Sequence, residues 1–145
     1  MLSGSTPTSA APPEQLLERF VKGSPRQRRP LIKTIEARAS DLVGLGSAVI
    51  EPFDSSGCDW AAGWLLQVLN RHDSNHVKTL IGPSDQGWLQ VESSAGIDYS
   101  ELQALLLNED FEEADRRTSA ILRDLAGPAA VRRGYVYFSE APPMP

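Results

Sequence analysis

Arg132 and Arg133 are followed almost at once by Tyr135, Tyr137 and Phe138, with Val131 just before them. Guanidinium groups grip carboxylates and lie over aromatic rings, so this run has the side chains to bind something both apolar and anionic. The ordinary alternative is that the aromatics are core and the arginines solvated. The remaining chemistry-bearing residues are sparse. His72 and His76 stand four apart, a metal-ligand spacing on a continuous helix, but Ser74 and Asn75 interrupt where a helix should end and no zincin-type glutamate accompanies them. They read as solvated loop histidines. The single cysteine, Cys58, excludes an internal disulfide. With two histidines and no Gly-rich phosphate loop, no nucleophile and base set is arguable, and an enzyme is not expected.

Two further clusters have competing readings. Arg26, Arg28, Arg29 and Lys33 form a basic run that suits an anionic partner or lipid headgroups, although such a run is more often a solvated helix face. Glu109, Asp110, Glu112, Glu113 and Asp115 would make a docking face for a basic partner, yet acidic residues at a helix start are already accounted for by the helix dipole.

The elements that carry these residues are helical. Asp98 lies three before Glu101 and Asp110 three before Glu113, each pair reading as a capping box at a helix start. Leu102, Leu105 and Leu106 share one face of a short helix, and Ala114, Thr118, Ile121, Leu122 and Leu125 make a longer stripe that Gly127 and Pro128 end. An αα-hairpin with a tight turn at Glu109 and Asp110 is expected. Upstream, Pro13 and Gly23 bracket a short amphipathic helix, and Pro30 divides a second into a turn and a helix. Residues 41–50 form a helix weakened by Gly44 and Gly46, and Asp59 caps a stronger one over 59–70.

The fold class expected is therefore all-α: a small N-terminal helical bundle, HEAT-like, followed by the hairpin. The expected organisation is a disordered tail at 1–12, a helical domain at 13–75, a linker at 76–96 and a second domain from 97 to 145. The chain has 145 residues, 41% of them hydrophobic, enough for a core. No apolar run approaches the roughly 18 residues that span a bilayer. The first residues have the composition of neither a secretory nor a transit peptide. The net charge of −5 is concentrated after residue 96, where five basic residues face nine acidic ones, and argues against nucleic acid as a partner.

Taken together, Ile97-Asp98-Tyr99-Ser100-x-Leu102, Leu105-Leu106, Asp110-Phe111-x-x-Ala114-Asp115-x-x-Thr118 and Leu125-Ala126-Gly127 resemble the opening of the genomes-uncoupled-four family. The segment from Val131 to Phe138 resembles its cyanobacterial branch. The resemblance implies a non-enzymatic, porphyrin-binding regulator that activates magnesium chelatase in chlorophyll biosynthesis, with protoporphyrin IX or magnesium protoporphyrin IX as ligand. The partner implied is the large porphyrin-binding subunit of the chelatase. The location implied is the cyanobacterial cytoplasm, with peripheral contact to the thylakoid membrane. A tetrapyrrole is a flat apolar disc with propionates at one edge, so Val131, Tyr135, Tyr137 and Phe138 would wall the ligand and Arg132 and Arg133 would hold its acids. Family cores continue through later helices, so the resemblance also implies that 97–145 is the start of a core rather than the whole. The competing expectation is a helical protein–protein interaction scaffold without ligand, although no 34-residue repeat supports it.

Overall fold

A computed structural model describes residues 10–82 and 87–145, and its regular structure is helical, with no strand among the described residues. The expected tail at 1–12 and linker at 76–96 fall partly outside these residues. Two compact units result, Met1–Pro83 and Ser84–Pro145.

In the first unit, helix α1 (Pro13–Lys22) has Pro13 in its first turn, where a missing N–H costs nothing, and closes at Gly23. Its face of Leu16, Leu17 and Phe20 is buried. Just before the helix, Ala11 is buried and its carbonyl accepts a bond from Arg38 Nη1. Ser24 and Gln27 cap each other at the start of α2 (Pro25–Arg28), and Pro30 sits in a 3-10 turn (Arg29–Leu31) before α3 (Ile32–Ala37). The helix expected over 41–50 is broken. It becomes α4 (Ala39–Val43) and a 3-10 turn (Gly46–Val49), separated where Gly46 takes φ +61°, a value that suits glycine.

Helix α5 (Trp60–His72) starts as expected at Asp59, whose carboxylate accepts from the Ala61 N–H at 3.0 Å. Six of its side chains are buried, including Leu65 and Leu69 at 0% exposure, and it packs on α4. A helix then appears where a linker was expected to begin: α6 (Ser74–Ile81), capped by Asp73 through the His76 N–H at 3.1 Å, buries Val77 against its neighbours. The polar composition of this stretch belongs to its exposed face.

Arg28 ties the unit together. Expected on a solvated face, it is 7% exposed. Its Nε donates to the Phe20 carbonyl at 2.8 Å and Nη2 to the Val21 carbonyl at 2.9 Å, satisfying the open end of α1. Nη1 and Nη2 take the two oxygens of Asp59 at 2.7 and 2.9 Å, and the guanidinium lies 5.4 Å from the Phe20 ring centre and 5.7 Å from that of Trp60. One side chain thus joins the end of α1 to the start of α5.

In the second unit, residues 87–91 run without regular structure and are held to α7 (Ser100–Leu107) by Gln103. Its Nε2 donates to the Leu89 carbonyl at 2.8 Å and its Oε1 accepts from the Leu89 N–H at 3.2 Å. The helix does not begin with Asp98 as its cap. Asp98 instead folds onto Ser100, accepting from its N–H at 2.9 Å and its hydroxyl at 2.5 Å, and Tyr99 occupies the cap position without a side-chain bond. A serine two residues on offers this local turn two donors, which is what the capping-box pattern overlooks.

The turn to α8 (Phe111–Ala126) is as short as expected, with Glu109 at φ +58° and the Asp110 N–H returning to the Leu105 carbonyl. Asp110 caps α8 through the Glu113 N–H at 3.5 Å. Of the expected stripe, Ala114 and Ile121 are buried while Leu122 and Thr118 face solvent. Short α9 (Pro128–Arg133) follows, packed on α8, and a 3-10 turn (Phe138–Glu140) comes after it.

Candidate functional site

The basic, aromatic run is positioned by two glycines. Gly127, at φ +111°, ends α8 by donating to the Arg123 and Asp124 carbonyls, and Pro128 at once starts α9. Ala130 is fully buried and fixes α9 to the unit, so its neighbours Val131 and Arg132 point outward. Gly134, left-handed at φ +89°, closes α9 through a 2.8 Å bond to the Ala130 carbonyl and turns the chain sharply. Past that turn the 3-10 element is closed on itself, the Glu140 carboxylate accepting the Tyr137 N–H at 3.1 Å.

This turn brings Arg133, Tyr135 and Tyr137 together. The two tyrosine rings meet edge to face at 5.4 Å, and the Arg133 guanidinium sits 3.5 Å from the Tyr137 ring centre and 4.9 Å from that of Tyr135. Arg133 is also engaged by an acid that the sequence reading did not name. Its Nη2 donates to both oxygens of Glu140, at 2.8 and 2.7 Å, and to the Tyr135 carbonyl at 3.0 Å. The bond from Arg133, joined by the Tyr137 N–H, holds the Glu140 carboxyl below the usual glutamate range, and the same bond raises Arg133. A glutamate three residues after Tyr137, at the foot of a turn, is a signal that could have pointed to Glu140 in the sequence.

The other residues of the run face solvent. Phe138 is 95% exposed, Tyr135, Tyr137 and Val131 about half exposed, and Arg132 is exposed. Phe138 thus lies almost wholly in water, with Val131, Tyr135 and Tyr137 half exposed along the same segment. The arrangement offers aromatic faces, an aliphatic side chain and one outward cation, which suits a planar apolar ligand with an acidic edge.

The remaining candidates resolve differently. Arg26, Arg29 and Lys33 are exposed, whereas Arg28 is spent inside the first unit. Asp73 separates the helices that carry His72 and His76, so the two histidines do not share a helical face, and no group of metal-ligating residues forms among the described residues. On the hairpin, Arg116 pairs with Glu112 at 2.6 Å and Glu113 at 2.9 Å, and Arg117 with Glu101 at 3.1 Å, so part of the acidic face is neutralised within the chain. No helix among the described residues is long and apolar enough to cross a membrane.

Comparison with known proteins places this region. Residues 92–145 match the model of a family described as GUN4-like. The chain is 36% identical over 86 residues to a Ycf53-like protein of Synechocystis, an alignment covering 59% of this chain and 37% of that protein. It is 49% identical over 39 residues to a chloroplastic tetrapyrrole-binding protein of Arabidopsis thaliana, covering 27% of this chain and 15% of the relative. The chain therefore spans well under half the length of either. The family that the motifs of the hairpin and the basic, aromatic run resemble is the one whose model residues 92–145 match, so it is this stretch of the chain that is similar to GUN4-like proteins.

Proposed function

We propose that this chain takes part in binding a tetrapyrrole, protoporphyrin IX or its magnesium form, and acts without catalysis as a regulator of magnesium chelatase. The observation that carries the reading is the exposure of Phe138, at 95%, with Val131, Tyr135 and Tyr137 half exposed around the same turn. These side chains offer walls to a flat apolar ring system, and Arg132 offers a charge to a propionate. The name of the Arabidopsis relative, a tetrapyrrole-binding protein, supports the ligand class. The large porphyrin-binding subunit of the chelatase is the partner that fits this role, in a cyanobacterial cytoplasm and at the thylakoid surface.

The test is a titration with deuteroporphyrin, a soluble analogue, followed by its Soret band and by tryptophan fluorescence. Saturable binding, weakened several-fold by Phe138→Ala and by Arg132→Ala, is the expected result. Absence of any saturable signal would sink the ligand assignment. A ligand-free helical scaffold is the second reading, favoured by the exposed Leu106, Phe111 and Leu122 of the hairpin. It requires a silent porphyrin titration together with retention of the chelatase subunit in a pull-down.

A further inference from the structure

Arg133 is occupied in an unusual way. Its three hydrogen bonds to described residues all leave from one nitrogen, Nη2, which serves both Glu140 oxygens and the Tyr135 carbonyl. Its Nε is sealed from solvent and has no acceptor among the described residues. The strong way for a guanidinium to hold a carboxylate is the fork, two nitrogens each giving one oxygen a parallel N–H. Glu140 does not use the fork, so Arg133 holds its acid in a geometry that a better-placed carboxylate would improve on.

The setting favours such an exchange. The guanidinium is stacked on Tyr137 at 3.5 Å and near Tyr135 at 4.9 Å, which fixes its plane whether or not Glu140 is present. Glu140 has another hold when released, because its N–H donates to the Tyr137 carbonyl at 2.9 Å and keeps the turn closed. The side chains of Arg133 and Glu140 are 19% and 22% exposed, so an incoming group has access to the pair without unfolding the turn. The chain thus carries its own carboxylate on the cation that an acidic aromatic ligand would need.

We infer that Glu140 is an internal competitor for Arg133, and that an aromatic ligand bearing carboxylates gains Arg133 only by displacing it. Glu140 then sets both affinity and selectivity. It lowers the affinity for carboxylated ligands and leaves that for uncharged ones unchanged. This rests on the tetrapyrrole reading above and adds to it the residue that tunes the site.

The experiment compares wild type with Glu140→Gln, using deuteroporphyrin, which carries two propionates, and its dimethyl ester, which carries none that ionise. Gln keeps an acceptor for the Tyr137 N–H, and far-UV circular dichroism checks that the helices persist. Glu140→Gln should bind deuteroporphyrin about three- to tenfold more tightly, the range over which a partly exposed ion pair competes, and the ester no differently. In an Arg133→Gln background the same substitution should change nothing. An unchanged or weaker affinity in Glu140→Gln, or a gain that persists in Arg133→Gln and so reflects only the general field, would overturn the inference while leaving the tetrapyrrole reading standing. If neither protein binds either porphyrin, both fall. Binding by Glu140→Gln alone would mean that Glu140 closes the site fully, the strongest form of the competition.

Discussion

Replacing Asp59 with alanine should unfold the first unit far more readily than its half-exposed position suggests. Two contributions are lost together. The carboxylate caps α5 through the Ala61 N–H, and removing an N-cap costs about 1 kcal/mol. It is also the only acid paired with Arg28 among the described contacts, and Arg28 is 7% exposed. Breaking a buried pair leaves an uncompensated charge at a cost of about 3–5 kcal/mol, whereas an exposed pair is worth under about 1. Asp59 is 41% exposed and Arg28 keeps two carbonyl acceptors, so about 1–2 kcal/mol is the reasonable share. The total, about 2–3 kcal/mol, corresponds to a fall in melting temperature of about 8–24 °C for a unit of this size. Asp59→Asn, which keeps the cap and removes the charge, should lose about half as much. Tryptophan fluorescence is the appropriate probe, because Trp60 and Trp64 pack with Phe20 in this cluster. The sign of the pH dependence follows from Arg28, whose hydrogen bond holds the Asp59 carboxyl below its ordinary value. A depressed acid stabilises fully above its unfolded pKa, so this contribution should be present above about pH 4 and drain away as pH falls below that, in wild type but not in Asp59→Asn. A melt of Asp59→Ala within about 0.5 kcal/mol of wild type would refute the reasoning, since surface substitutions of no consequence fall in that range.

Ala114→Leu should destabilise the second unit by about 1–3 kcal/mol in urea melts, because Ala114 is 4% exposed beneath the hairpin and a larger side chain has to displace its neighbours. Asp110→Ala should cost about 0.5–1 kcal/mol through loss of its long cap bond to α8, and Asp98→Ala less than that, since Asp98 caps no helix; equal effects would mean that α7 starts at Asp98 after all. Phe138→Ala should leave the melting temperature within a degree or two while weakening porphyrin binding, and a clear loss of stability would show instead that the ring is part of the core.

Much of the helical framework was legible because its signals are local. Pro13 with Gly23, Pro30, Asp59, and Asp110 with the turn at Glu109 each act within a few residues of themselves, and the structure has each of them in the expected role. What escaped the sequence is set by distant or competing contacts. Nothing in the run Arg26, Arg28, Arg29 singles out Arg28, whose partner lies 31 residues away, although only Arg28 can reach both the end of α1 and the start of α5. Asp98 had a plausible role as a cap, but Ser100 outbid the helix for its carboxylate. Helix α6 was missed because its polar face dominates the composition, though Asp73 and Val77 carry the pattern of a cap and a buried position. In the candidate site, the residue types in 131–138 were readable as a basic, aromatic run, but not which cation stays outward: that is decided by the turn at Gly134, which returns Glu140 onto Arg133 and leaves Arg132 in solvent.

The distribution of buried side chains has a consequence for motion. In the second unit the buried apolar residues among those described are Ala114, Ile121 and Ala130, whereas α5 alone buries six side chains. Amide hydrogens report such a difference directly, since segments that rest on few apolar contacts open locally and exchange with solvent well before the whole fold does. Deuterium should therefore enter α7, α8 and α9 early and the middle of α5 late. A molecule settling on Val131, Tyr135 and Phe138 would add contacts where the unit has fewest of its own, so slowing of exchange in α9 and the turn after it, with α5 unmoved, would reveal an occupant before its chemical identity is known.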